Sequence, residues 1–189
     1  MARGLLACVG TQVRGMTHDF RGCTLPWPEK ECKSYAAGLS GVLYALPVLC
    51  CANAGEAWLW VVQGLLSCGA DYVFIARRSA VHGIDRIFAT GMTLRLCVRA
   101  TTHLSPAFTM WALIAPITCF ALAARAKALP SPHVWKAMHC LWHVSGAVVA
   151  AFASCRLRAA IDDSGACRAD ALVDAPWRLG QWVADTLLC

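Results

Sequence analysis

Two histidines one helical turn apart, His139 and His143 in the run VWKAMHCLWHVSGAVVAAFAS, are the residues of this chain best suited to hold a metal ion. On a helix they share a face, with neighbouring side chains roughly 5–6 Å apart. A catalytic zinc takes two or three His or Asp ligands and keeps one position open, where water ionises near neutral pH. A nearby carboxylate can then carry the proton. The spacing is not that of the metalloprotease motif HExxH, because Cys140 follows His139 and no glutamate base is present.

The stretch DYVFIARRSAVHGIDR, residues 71–86, holds the other groups of the right chemistry: Asp71, His82 and Asp85. Glu56, Gln63, Ser67 and Asp71 form one stripe of the preceding segment, since offsets of seven, eleven and fifteen residues return to one face at about 3.6 residues per turn. His82 and Asp85 are three apart and face the same way. The expected metal shell is His139 and His143 completed by Asp71 or His82, with Asp85 as orienting carboxylate or base and Ser67 as oxyanion donor. Each group also has a plainer reading. Asp85 could pair with Arg86, Arg95 or Arg99, Ser67 could be helix-packing glue, and Arg77 and Arg78 read as solvated topology signals.

What must position these groups is a set of membrane helices. The chain is 58% hydrophobic and 15% charged, whereas soluble domains carry about 25% charged residues. Its net charge of +6 is dispersed, without a basic run, which excludes a nucleic-acid surface. Membrane lipids are the expected partners, with loop arginines touching anionic headgroups. One domain is expected: an all-α, polytopic transmembrane bundle of about five spans, each of roughly 20 residues. Residues 1–35 read as an irregular or interfacial leader, 36–155 as the bundle, and 156–189 as a polar tail with an amphipathic helix along the interface. The spans are placed at 36–53, 57–76, 82–103, 107–124 and 134–154, the third too polar to face lipid on all sides. The bias of basic residues places the amino terminus in the cytoplasm. Its apolar core, about six residues, is too short for a cleaved signal.

Alternation of the helices brings the end of the second span and the starts of the third and fifth to one leaflet. At about 1.5 Å per residue, Asp71 lies about 8 Å inside the membrane, and His139 and His143 about 8 and 14 Å. Ionisable groups agreeing in depth imply one enclosed polar cavity. The tryptophans at 58, 60, 111 and 135 read as interfacial anchors. Cys50, Cys51, Cys68, Cys97, Cys119, Cys140 and Cys155 lie in apolar runs and read as small hydrophobes, Cys8, Cys23 and Cys32 stay open, and no CxxC pair occurs.

HCLWHVSG, residues 139–146, resembles the last-span signature of the alkaline ceramidases, H-x-x-W-H followed by a small hydroxyl residue and glycine. GIDRIFA resembles the segment that carries the aspartate of the same CREST superfamily of multi-span hydrolases. The resemblance implies zinc on His139 and His143, Asp85 as that aspartate, a lipid amide or ester as substrate, and an integral membrane protein of the endomembrane system, ER or Golgi. The chain departs from the pattern where Ser67 is followed four residues on by Asp71 instead of a histidine. A second segment, GLSGVLYAL at 38–46, resembles the GxSG segment of rhomboid intramembrane proteases, which implies Ser40 as nucleophile and His143 as base. A non-catalytic bundle, a small transporter or scaffold using the same residues as salt bridges or a proton path, is the alternative from a different class.

Overall fold

The computed structural model describes residues 10, 13, 14, 16–22, 25–51 and 53–164, and every regular element among them is helical. Cys8, Cys23 and the amphipathic helix expected near the carboxyl terminus lie outside the described residues. After a one-turn helix, Glu29–Cys32, the chain enters α1, Tyr35–Val42, which tightens into a 3-10 helix over Leu43–Cys50. Pro47 explains the change, since it lacks an N–H and its ring crowds the carbonyl four residues back. Tightening lengthens the segment. At about 2.0 Å per 3-10 residue and 1.5 Å per α residue, Tyr35–Cys50 reaches about 28 Å with few residues.

Helix α2, Ala54–Cys68, starts at Asn53, whose side chain accepts from the Glu56 backbone N–H. It continues as a single π-helical turn, Gly69–Val73, and the chain then reverses through Ala76, which has φ 58°. Ser79 caps α3, Ala80–His103, by accepting from Val81 N–H. Ser105 caps α4, Pro106–Ala126, where proline occupies the first turn that needs no N–H. The last helix, α5, spans His133–Ser164 and runs past the expected end at residue 154, carrying Arg156 and Arg158 with it.

Close packing of α1 on α2 depends on glycine. A Cβ on Gly41 would lie 3.0 Å from the backbone of Ser67 and Cys68, so a larger residue would push the helices apart. Helices α4 and α5 pack along their lengths, and α3 touches both less extensively. One core cluster gathers Trp27, Cys32, Ile75 and Trp135 with Ala123 and Ala126, and another gathers Trp60, Met92 and Ala150. Trp60 and Trp135 are therefore core residues, whereas Trp58 and Trp111 are 67% and 74% exposed as an outward position requires. Cys50 and Cys155 are also not the small hydrophobes expected. They form a disulfide from the end of the 3-10 helix to α5, with a Cα–Cα distance of 4.8 Å.

Among the described residues two helices, Pro106–Ala126 and His133–Asp162, are long and apolar enough to cross a membrane, and only 17% and 28% of their most apolar windows are buried. The outward faces of the other helices are apolar as well, with Leu39, Leu49, Leu65, Leu94 and Val98 exposed. Inside, Glu56 accepts from Nη1 of both Arg95 and Arg99, at 2.9 and 2.7 Å, and ties α2 to α3.

Candidate metal centre

Asp71 stands on the π-helical turn that ends α2. Such a turn adds one residue per cycle and re-aims the side chains it carries, which is why π-turns recur at functional sites. It delivers the Asp71 carboxylate to the face of α5 that carries His139 and His143. Oδ2 of Asp71 lies 3.1 Å from His139 Nε2 and 3.3 Å from His143 Nε2. One ligand atom from each of the three residues falls within 4.8 Å of the others, and both histidines are buried.

This donor set is able to hold a metal ion. Ligand bonds of about 2.0–2.2 Å in tetrahedral geometry put neighbouring ligand atoms about 3.4 Å apart, close to the two separations from Asp71. His139 Nε2 supplies a second sign of fit. It is buried without a hydrogen-bond partner, because Asp71 Oδ2, although near, is not aligned to bond it. An orphaned ring nitrogen beside a carboxylate is costly unless a cation or an unseen donor meets it.

The rings are held from several sides. Trp135, one turn before His139, stacks on it with centroids 4.8 Å apart, and Trp142 meets His139 edge-on at 5.3 Å. Tyr44 approaches His143 edge-on at 5.4 Å, and Ser40 Oγ lies 3.0 Å from its Nδ1. Gly146 makes room for Tyr44, since a Cβ there would lie 3.0 Å from the tyrosine hydroxyl oxygen. The fourfold spacing of Trp135 and His139 was the available signal for the stacking. Nothing in the sequence pairs Tyr44 with Gly146.

Asp71 and His139 open into a cavity of about 790 Å³ bounded by α2, α3, α4 and α5, whose apolar wall includes Leu113, Ile117, Phe120 and Val149. Asp85 lines it and accepts from Gln63 Nε2 at 3.0 Å. Its hydrogen-bonding partner is thus an amide, with the charge of Arg86 acting on it from nearby. Arg86 bonds the carbonyls of Asp19 and Gly22, and Arg95 and Arg99 bond Glu56.

Two expected site residues sit elsewhere. His82 is buried and lines the cavity, but its Nε2 lies 3.1 Å from the Phe74 carbonyl and 2.9 Å from that of Arg77. That nitrogen serves as a donor to the carbonyls left open where α2 ends, and His82 is not in the Asp71 group. Ser67 is 2% exposed, packs beside Gly41 and is not part of the cavity wall.

Comparison of the chain with protein-family models, curated proteins and solved structures finds no match. The family resemblance therefore rests on HCLWHVSG and GIDRIFA alone.

Proposed function

We propose that this chain is a multi-span membrane protein of an internal membrane, ER or Golgi, and a zinc-dependent hydrolase of a lipid amide or ester. The observation that carries the reading is the meeting of Asp71, His139 and His143 beside a large, mostly apolar cavity that Asp71 and His139 line, with a buried ring nitrogen left without a hydrogen bond. Two imidazoles and one carboxylate leave a fourth position open, the arrangement of catalytic rather than structural zinc sites. The same donors also suit ferrous iron, so the ion is settled by analysis of the purified protein. Five crossings fit the outward apolar faces of all five helices and the reach of about 28 Å of Tyr35–Cys50, against a hydrocarbon core of about 30 Å.

Zinc bound there would polarise an acyl carbonyl and activate water near neutral pH. Asp85, fixed by Gln63, would accept the proton that water loses on adding to the acyl carbon and return it to the departing nitrogen or oxygen as the C–N or C–O bond breaks. The apolar walls of the cavity would receive the acyl chain. Stoichiometric zinc in the purified protein that disappears in His139→Ala and His143→Ala supports this reading. Protein purified without metal, and unable to take it up, would point to a non-catalytic bundle using the same residues as salt bridges or a proton path.

One distance favours a second reading. Ser40 Oγ at 3.0 Å from His143 Nδ1 would suit a serine nucleophile with a histidine base, the rhomboid-like arrangement. It ranks lower because neither side chain lines the cavity and the Ser40 hydroxyl is directed at the Ala37 carbonyl, 2.8 Å away. Labelling by a serine-directed fluorophosphonate that is lost in Ser40→Ala would restore it.

A further inference from the structure

We infer that Ser40 is a positioning residue, which fixes the tautomer of His143 so that the Nε2 lone pair faces Asp71 and the ion. The inference rests on the metal reading above and assigns Ser40 a role opposite to that of a nucleophile.

The argument is one of counting protons. Ser40 Oγ has two neighbours at hydrogen-bond distance, the Ala37 carbonyl oxygen at 2.8 Å and His143 Nδ1 at 3.0 Å. A carbonyl oxygen only accepts, and a hydroxyl has a single proton to donate. With the serine proton directed at Ala37, the shorter of the two contacts, the bond to the ring is donated by the ring. Nδ1 of His143 carries the hydrogen. In a neutral imidazole that leaves Nε2 with a lone pair, and Nε2 is the atom 3.3 Å from Asp71 Oδ2.

The chain of donors runs one way, from Nδ1–H to Oγ–H to the Ala37 carbonyl, and its far end is anchored in the backbone of α1. His143 is 1% exposed and Ser40 5%, so water does not compete for either bond. Tyr44 stands edge-on to the ring and limits its rotation. Metal-bound histidines characteristically give their second nitrogen to such a partner, and loss of the partner lowers metal affinity by about 10–100-fold. The plane of the His139 ring on the same face is held by Trp135, which stacks against it.

Two measurements on full-length protein in detergent test this. In protein carrying 15N-labelled histidine, long-range proton–nitrogen spectra, with His143 assigned by comparison with His143→Gln, should show Nδ1 protonated and Nε2 bare in the metal-free state. Competition titration with a chelator should show Ser40→Ala weakening zinc binding by about 10–100-fold, and Ser40→Thr, which keeps the hydroxyl, recovering most of it. A proton on Nε2 in the wild type, or zinc affinity in folded Ser40→Ala within about twofold of wild type, would overturn the inference. Should Ser40→Ala not fold, the wild-type tautomer and the threonine variant decide. A wild-type protein that binds no zinc defeats the metal reading instead, while the tautomer still reports on Ser40. Fluorophosphonate attachment to Ser40 would contradict it directly.

Discussion

Asp71 Oδ2 lies 3.1 Å from Nε2 of His139, although 68 positions of sequence separate the two residues and different helices carry them. At that separation the two atoms share either a proton or an ion, and on the metal reading the distance is that between two ligands of one ion. Asp71→Ala should therefore reduce zinc content well below stoichiometric. Asp71→His, which supplies another imidazole, should retain it. His82→Ala should leave the metal in place and cost about 1–3 kcal/mol of stability, because it abandons two carbonyls at the end of the π-turn. Elemental analysis and denaturant unfolding of the three variants separate these outcomes.

Ala76 occupies a backbone region that its Cβ disfavours, with φ 58°. Glycine pays no such steric penalty, so Ala76→Gly should raise stability by about 1 kcal/mol or leave it unchanged, the relief being offset in part by the greater freedom of the unfolded chain. Ala76→Val should destabilise. Unfolding midpoints of the pair, compared at constant denaturant slope, check the sign.

Glu56 is 5% exposed and is shared by Arg95 and Arg99. Removing the carboxylate takes away the acid shared by two largely buried guanidinium groups, so Glu56→Ala should cost about 3 kcal/mol. Because Glu56 lies 15 residues before Asp71 on α2, folded Glu56→Gln protein should still bind metal. Thermal unfolding and zinc titration of the same samples distinguish a stability effect from a metal-site effect.

Arg77 donates two hydrogen bonds, each 2.8 Å, to the carboxylate of Glu29 and holds its pKa below the ordinary value. The folded form is thus favoured by ionised Glu29. Its contribution is complete above the unfolded pKa, about 4.3, and fades as pH falls through the lower folded value. The pair is exposed, so the effect should be local: a carboxyl titration midpoint below that of Arg77→Gln, and faster amide exchange in residues 29–32 at acidic pH, with no global unfolding. NMR titration of both proteins measures it.

The polar stripe on α2 and the His139/His143 face were legible because both are local consequences of helical period. Which of Asp71 and His82 joins the two histidines was not legible in the sequence. Whether the His82 nitrogen is free depends on the carbonyls of Phe74 and Arg77, which are exposed only because the chain turns back at Ala76. Pro47 was visible, but not the 3-10 geometry it brings to the rest of its segment. The partners of Asp85, Trp60 and Trp135 are likewise tertiary facts. Charge alone offered three arginines to Asp85, and the fold gave it Gln63.

The bridge between Cys50 and Cys155 does more than tie the end of the 3-10 helix to α5. Cys155 lies 16 residues beyond His139 on α5, about 24 Å along its axis. Disulfides persist in oxidising spaces and are rare where glutathione keeps thiols reduced. A persisting cystine would therefore require oxidising surroundings for the part of the fold that carries it. The His139 group stands well away from it along α5, so reduction of the cystine would reach that group only through the packing between them.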